Sequence, residues 1–306
     1  MRVYRDLNTE SPAGSAVALG MFDGVHLGHR RVIEAAAAHR EEWAVTVLTF
    51  VARRERPDKK LFQKDIFTPE ERVRRLSLLP VDMVYMPDFE EIRKLSAQEF
   101  VHQVLGEILH AKVICCGEDY RFGNHAAGNV ELLKRLAKDI CAKVQVVSPY
   151  LDCGEPVSST RIRRYLSDGN IVSANRLLGT PYTIEGTVVY GKQIGRTLGC
   201  PTINQELDLY ICLPKFGVYI SSVLLDGEEY PSITNIGVKP TIAGERQPLA
   251  ETHIIGVDQN LYGRRLTVKL HQFIRGEERF EDLEQLSDSI HHDIEKARHF
   301  FKRETN

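Results

Sequence analysis

The first half of the chain alternates short apolar runs with stretches whose apolar residues recur at helical spacing. The apolar runs lie at residues 16–20, 44–50, 81–86, 113–116 and 144–147. Helix-start signals stand between them, since Thr68 precedes Pro69 and Ser96 stands three residues before Glu99. Short strands that alternate with helices predict a parallel sheet covered by helices on both faces. The sequence therefore predicts a doubly wound α/β domain in this half.

The pattern changes after about residue 179, where glycine and proline separate the apolar runs. These runs lie at residues 182–190, 217–225, 230–236, 251–257 and 264–274. Turn signals stand at Asp226-Gly227 and Tyr262-Gly263. Short strands with turns in this arrangement predict a small antiparallel β-barrel. Apolar residues at helical spacing within residues 280–301 predict one or two closing helices.

Composition limits the kinds of protein that this chain could be. Its 306 residues suffice for two domains, which we place at residues 1–178 and 179–306. The net charge of -2 gives no indication of nucleic acid or a membrane surface as a partner. The six cysteines lack CxxC and metal-ligand spacings, which predicts free thiols in a reducing compartment. Because we find no signal core or membrane-length apolar run, we expect a soluble, cytoplasmic protein.

The first candidate site follows the first apolar run, in the string GMFDGVHLGH at residues 20–29. Ligands of open α/β sheets bind beyond the carboxyl ends of strands. Gly20 and Gly28 let the backbone approach a phosphate, while the following helix directs its free N–H groups at the same place. His26 and His29 would add hydrogen-bond donors where charge develops on a phosphate oxygen. The alternative is a plain turn whose histidines cap the helix or lie on its surface.

The second candidate site is the string GTVVYGKQIGRTLGCPTIN at residues 186–204. Gly191 and Gly195 would let backbone amides wrap around phosphates, although the P-loop spacing is absent. Thr202 and Asn204 offer oxygen ligands two residues apart, which suits a Mg²⁺ ion that also binds substrate phosphates. The alternative is a barrel with glycine-bearing hairpins.

The N-terminal strings resemble the signatures of a known family, the bacterial bifunctional riboflavin kinase/FAD synthetases of the nucleotidyltransferase superfamily. GEDYRFG at residues 117–123 resembles the family's flavin-side loop, and VSSTRIR at residues 157–163 resembles its second phosphate-binding motif. Hydroxyls and an arginine clamp at a helix start would suit phosphates. The resemblance implies His26 and His29 as catalytic residues and Asp119 and Arg121 as flavin-binding residues. The implied ATP-binding residues are Gly20, Asp23, Gly28, Ser159, Thr160 and Arg161.

The C-terminal half resembles riboflavin kinase from about residue 179 to residue 298, through PTIN, ETH and LYG segments in the family's order. The resemblance implies that Glu251 is the catalytic base, which would accept the proton of a primary alcohol as it attacks the γ-phosphorus. Arg275 would contact flavin, a surface charge being the alternative. The implied ATP-binding residues are Gly191, Lys192, Gly195, Arg196 and Thr202, and the implied Mg²⁺ ligands are Thr202 and Asn204.

Together the two resemblances imply a Rossmann-like nucleotidyltransferase domain followed by a six-stranded antiparallel β-barrel with terminal helices. The barrel would phosphorylate riboflavin with ATP, and the first domain would adenylylate FMN with ATP to give FAD, both with Mg²⁺. VARRER at residues 51–56 stands where the family has a Pro-His-Pro segment. A riboflavin kinase whose N-terminal domain is only a scaffold or regulator is therefore an alternative. A non-catalytic flavin- or nucleotide-binding protein is another.

Overall fold

The structure, a computed structural model, describes residues 1–51, 64–191, 195, 198–240 and 246–304. The chain folds into two compact units, Met1–Ser159 and Thr160–Asn306. The division of the two activities after residue 178 stays a prediction.

The N-terminal unit is built on a six-stranded sheet in the order β1-β4-β3-β2-β5-β6, and every pairing in it is parallel. Its strands are β1 Arg2–Tyr4, β2 Ser15–Leu19, β3 Ala44–Leu48, β4 Met83–Tyr85, β5 Ala111–Gly117 and β6 Lys143–Val147. The predicted parallel sheet is confirmed. Its edge strand β1 was not predicted, because three residues are too few to show a period.

Helices cover both faces of this sheet. They are α1 Leu27–Ala37, α2 Pro69–Leu76, α3 Phe89–Ile92, α4 Ala97–Glu99 with a π-helical continuation Phe100–Ile108, and α5 Val130–Leu136. A 3₁₀ turn, Asn124–Ala126, and a hairpin of β7 Leu151–Asp152 and β8 Glu155–Pro156 complete the described elements before α6 Ser159–Asp168. The predicted helix starts are confirmed. Thr68 caps α2, and Ser96 forms a capping box with Glu99.

Alternate side chains of β2 enter two different cores. Val17 and Leu19 pack with the π-helical segment on one face, whereas Ala16 and Ala18 pack with α1 on the other. Successive side chains of a strand point to opposite faces, so a strand buried on both sides reads as a continuous apolar run. This packing explains the unbroken apolar pattern of the sequence.

The C-terminal unit contains a closed six-stranded barrel in the order β10-β13-β12-β11-β14-β9, with antiparallel pairings throughout. Its strands are β9 Tyr182–Val189, β10 Ile203–Glu206, β11 Gly217–Leu225, β12 Glu228–Pro240, β13 Arg246–Ile254 and β14 Arg265–Arg275. Helix α7, Ile171–Leu178, precedes the barrel, and α8, Leu283–Glu304, follows it. The predicted barrel and closing helix are confirmed.

Buried hydroxyls line part of the barrel interior. Ser221 Oγ lies 2.7 Å from Ser232 Oγ and 2.8 Å from Thr234 Oγ1, which lies 2.9 Å from Thr252 Oγ1. Each of these buried hydroxyls therefore has another hydroxyl as its hydrogen-bond partner and needs no water molecule. This row of hydrogen-bonded hydroxyls shows which residues of β12 and β13 face the barrel interior. Their sequence neighbours, among them Asn235 and Glu251, consequently face the other way.

The cysteines agree with the free thiols that their spacing predicts. All six cysteines are free, and burial raises the pKa of Cys115 to about 12 and that of Cys116 to about 11. Those two thiols therefore stay protonated at neutral pH and are poor nucleophiles. Within the described ranges, no helix is both long and apolar enough to cross a membrane.

Candidate active sites

The loop between β2 and α1 brings the two predicted histidines together. His26 is the N-cap of α1, and its Nδ1 accepts a hydrogen bond from the His29 backbone N–H at 3.2 Å. The two rings stack with centroids 3.5 Å apart. His26 therefore caps the helix, which was the alternative interpretation of this histidine. The cap also places both rings at the helix N-terminus, where anions bind.

The backbone of this loop adopts conformations that most residues avoid. Phe22 and Val25 have φ values of 49° and 45°, in the left-handed region. That region is unfavourable for a β-branched residue and is seen where the surrounding structure enforces it, often at functional sites. At Gly28, a Cβ atom would lie 3.2 Å from the His26 ring and 3.2 Å from the Val157 carbonyl oxygen. A side chain at this position would therefore require the His26 ring or the Val157 backbone to shift by a few tenths of an ångström.

Several predicted ATP contacts have partners within the protein. The two oxygens of the buried Asp23 carboxylate accept a hydrogen bond from the Ile66 backbone N–H, at 2.9 and 3.1 Å. The backbone carbonyl oxygen of Asp23 accepts a hydrogen bond from the Ser159 hydroxyl at 2.8 Å. Arg161 is buried, and its Nε donates to the Tyr165 hydroxyl at 3.3 Å. Thr160 is exposed and Gly20 half-buried. As ATP-binding residues, these remain predictions.

Arg72 is a buried residue of this region that the sequence did not single out. Its side chain is 1% exposed, and Nη1 donates to the Phe50 carbonyl at 2.8 Å and the Met21 carbonyl at 3.2 Å. Nη2 lies 3.4 Å from the Asp65 carboxylate. Met21 follows β2, and Phe50 follows β3. One guanidinium therefore ties together the loops at the carboxyl ends of two adjacent strands. Helix α2 reads in sequence as an ordinary charged helix, so no local signal marks this role.

Replacing Arg72 by methionine should disable this site while sparing the barrel. The Phe50 carbonyl would lose its buried donor, whereas the Met21 carbonyl keeps the Thr49 hydroxyl at 2.6 Å, so we expect a cost of about 1–3 kcal/mol of stability. We expect conversion of FMN to FAD to fall at least about tenfold, as positioning defects do, with riboflavin phosphorylation unchanged. Arg93→Met is the matched control, because Arg93 is exposed and pairs with an exposed glutamate. Equal rates for both variants would contradict the assignment.

The predicted flavin-side loop follows β5. Glu118, Asp119 and Arg121 are exposed, and a cavity of about 330 Å³ is lined by Glu118, Arg121 and Lys134 among others. The Ser148 hydroxyl donates to Glu118 at 3.0 Å. Asp119 and Arg121 as flavin contacts stay predictions. Of the unusual segment at residues 51–56, all but the first residue lies outside the described ranges.

Strand register assembles the site of the barrel. Glu251 on β13 stands opposite Asn204 of β10 on one side and opposite Asn235 of β12 on the other. Directly opposed residues of antiparallel strands share a face, so these three side chains form a row. Asn204 is 5% exposed, whereas Glu251 is exposed. The structure thus brings the predicted base beside a predicted metal ligand.

Two of the glycines predicted to bind ATP lie in close contact with other parts of the barrel segment. At Gly191, a Cβ atom would lie 2.6 Å from Cγ and 2.8 Å from Oδ1 of Asn204. At Gly195, a Cβ atom would collide with the carbonyl oxygen of Cys200. Both positions therefore require glycine for close approach. The other predicted ATP contacts of this segment, Lys192 and Arg196, lie outside the described residues.

Gly191→Ala should displace the Asn204 amide, because a methyl group cannot share its place. We expect riboflavin phosphorylation to fall by about 10- to 100-fold, the usual size of a misplacement near the reacting atoms. Formation of FAD from added FMN should continue at the original rate and serves as the internal control. A kinase rate within about twofold of the original would count against a functional role for this contact.

Thr202 lines two cavities of the barrel whose walls are formed by described residues. The barrel-mouth cavity, of about 440 Å³, has walls that include Val188, Tyr190, Thr202, Ile203, Thr252 and Tyr262. The helix-side cavity, of about 250 Å³, has walls that include Thr202, Ile233, Glu251, Arg275, Leu286 and Asp293. Thr202 therefore stands where ligands of the two cavities would meet.

Residues around the helix-side cavity hold one another in place. His253 Nδ1 lies 2.9 Å from the Pro201 carbonyl oxygen, and burial lowers the pKa of this histidine against the opposing effect of that contact. The imidazole is therefore neutral at pH 7, donates to Pro201, and steadies the segment that bears Thr202. Arg275 donates to Asp293 at 2.9 Å, and its side chain is 18% exposed. It belongs to the cavity wall, not to the outer surface.

An α/β unit with a histidine-bearing loop at the carboxyl edge of its sheet stands in one chain with a closed barrel whose glutamate lines a cavity. This combination is typical of a two-domain transferase that uses nucleotides. Known proteins identify the family more closely. A family model for FAD synthetase matches residues 8–161, and one for riboflavin kinase matches residues 178–301.

The relatives extend this match to nearly the whole chain. The bifunctional riboflavin kinase/FMN adenylyltransferase of Escherichia coli strain K12 is 35% identical over 311 residues, covering 98% of each chain. That of Bacillus subtilis strain 168 is 33% identical, covering 95% of this chain and 94% of its own. A crystal structure described as a macrolide-efflux protein from Streptococcus pneumoniae has a TM-score of 0.85 and 33% identity, covering 97% of this chain and 98% of that chain. The chain belongs to the family of bifunctional riboflavin kinase/FMN adenylyltransferases.

Proposed function

We propose that this protein phosphorylates riboflavin to FMN and adenylylates FMN to FAD, using ATP in both reactions. The observation that carries the proposal is the match to bifunctional relatives over nearly the full chain, with the two family models falling on separate parts of it. A kinase with a silent N-terminal domain is less well supported, because that region keeps the FAD synthetase match and a formed histidine loop. We place the boundary between the two activities after residue 178.

For the kinase, we place ATP in the barrel-mouth cavity and riboflavin in the helix-side cavity. The support is that Thr202 lines both, whereas Glu251 lines only the second among the described walls. The 5′-hydroxyl of riboflavin would attack the γ-phosphorus of ATP, its proton would pass to the Glu251 carboxylate, and ADP would leave. Positioning and acceptance of one proton suffice for such a transfer.

Mg²⁺ fits two residues near Glu251: Thr202, which lines both cavities, and Asn204, which stands opposite Glu251 on the neighbouring strand. Asn204 Oδ1 is buried and accepts no hydrogen bond from the described residues, so an oxygen is available for a cation. Thr202 adds a hydroxyl, and hard oxygen ligands are those that Mg²⁺ prefers. When bound, the ion would neutralise charge on the ATP phosphates. The close fit of Gly191 against Asn204 would keep the amide oriented for this purpose.

For the adenylyltransferase, we place the ATP phosphates at the N-terminus of α1. The FMN phosphate would attack the α-phosphorus, and pyrophosphate would leave. His26 and His29 would donate hydrogen bonds to the phosphate oxygens as their charge rises, together with the backbone N–H groups of the helix start. The stacking of the two rings, with His26 buried and His29 half-buried, keeps both groups oriented before substrate arrives.

The first experiment is an incubation of the pure protein with riboflavin, ATP and Mg²⁺, with flavins separated by chromatography over time. A parallel reaction starts from FMN. We expect FMN and then FAD in the first reaction and FAD in the second. FMN as the sole product would reject the adenylyltransferase, and the absence of both products would reject the proposed function. We also propose a cytoplasmic location, supported by the six free cysteines.

A further inference from the structure

Helix α8 contributes a buried carboxylate to the helix-side cavity for which the proposed kinase chemistry has no use. Asp293 is 2% exposed at its side chain, and its Oδ2 binds Arg275. Its Oδ1 accepts no hydrogen bond from the described residues. The Lys296 ammonium lies 3.7 Å from Oδ1, beyond hydrogen-bond distance, and is itself 43% exposed. Burying a charged oxygen without a hydrogen bond is costly, so a ligand donor is expected there.

The remaining walls of this cavity suit a flat aromatic ring. They include the apolar side chains of Val218, Ile233, Phe280, Leu286 and Ile290. Among the polar residues of the wall, Arg275 and Asp293 are fixed next to each other by their ion pair, so the guanidinium donors lie beside the Asp293 carboxylate, and Glu278 also lies 3.5 Å from the guanidinium. The imide edge of a flavin ring presents the complementary pattern, an N3–H donor flanked by carbonyl acceptors.

We propose that Asp293 Oδ1 accepts a hydrogen bond from the N3–H group of riboflavin, while Arg275 donates to a neighbouring ring carbonyl. This inference rests on the proposed kinase function and adds the basis of its specificity. The pair on α8 and β14 selects flavins with a free imide edge, and Glu251 acts on the ribityl end of the same molecule. Asp293 is thus a specificity-determining residue of the flavin site.

The test compares riboflavin with 3-methylriboflavin, in which a methyl group replaces the N3 hydrogen. The wild-type protein should phosphorylate riboflavin with a kcat/KM about 10- to 100-fold higher, the worth of a hydrogen bond to a charged group. Asp293→Asn keeps the size of the side chain and an oxygen for Arg275, but it turns an N–H donor toward N3. Its kcat/KM should fall by a similar factor for riboflavin and change little for 3-methylriboflavin.

Asp288→Asn, on the exposed face of α8, is the matched control and should behave as wild type with both flavins. Thermal unfolding of each variant checks the fold. Equal efficiency of the wild type with the two flavins would overturn the proposal without any variant. So would an equal loss for both flavins in Asp293→Asn, which would indicate a role confined to holding Arg275. A wild-type protein that phosphorylates neither flavin would reject the kinase function itself, and the inference with it.

Discussion

Glu251→Gln should abolish the phosphorylation of riboflavin and leave the conversion of FMN to FAD at its original rate. The amide cannot accept the proton of the ribityl hydroxyl, and loss of a general base lowers rates by about 10²- to 10⁴-fold. Because Glu251 is exposed and the change preserves shape, the barrel should keep its stability within about 0.5 kcal/mol. Initial rates of FMN formation from riboflavin, and of FAD formation from added FMN, measure the two activities in one preparation.

The matched control is Glu206→Gln. Glu206 is exposed on β10, the strand that also carries Asn204, but stands opposite Leu249. It should keep full kinase activity. If Glu251→Gln still phosphorylated riboflavin at a rate close to that of the control, the base would have to be sought elsewhere. A loss of both activities would instead indicate a folding defect, which thermal unfolding would reveal.

His26→Asn should have the second large effect, on the other activity. Asparagine is a good N-cap, so its side-chain oxygen can accept the His29 backbone N–H and preserve the start of α1. The imidazole donor at the phosphates is lost, as is the ring that stacks on His29. Removing one such donor costs about 10²- to 10³-fold in rate. We therefore expect FAD formation from FMN to fall by that factor, with riboflavin phosphorylation unchanged.

His39→Asn provides the control for this substitution. His39 lies after the C-terminal end of α1 and contacts Gln145 at the surface, 3.2 Å from its side-chain oxygen. Its replacement should leave both activities intact. Normal FAD formation by His26→Asn would reduce His26 to a helix cap. That result would support the simpler interpretation of the loop as a turn with a capping histidine.

Much of the fold could be predicted because it depends on local patterns. Runs that are apolar at every position mark strands buried on both faces, and β2 shows the reason, since its alternate residues fill two cores. Capping residues at Thr68 and Ser96 mark helix starts through bonds to residues three positions away. Strand β10 was missed because its four residues, Ile203–Glu206, follow a glycine-rich segment and carry no alternation of their own.

Some residues of the candidate sites could be predicted from the sequence, and others could not. His26, His29, Thr202, Asn204 and Glu251 could be found because their motifs are contiguous in sequence. Arg72 and Asp293 could not be found in this way. Each lies in a helix with an ordinary charge pattern, and its role depends on contacts with residues that are distant in sequence. Arg72 meets two carbonyls that follow two different strands, and Asp293 meets an arginine that ends β14.

By itself, the sequence determined the two kinds of fold, their order along the chain, and the motifs that join this protein to its family. Those features reside in periodicity and in short strings, which neighbouring residues can encode. Only the tertiary structure decided that Glu251 faces Asn204, that Thr202 lines two cavities, and that one buried carboxylate oxygen of Asp293 accepts no hydrogen bond from the described residues. The physical reason is that register, closure of the barrel and the packing of α8 bring together residues that are far apart in sequence.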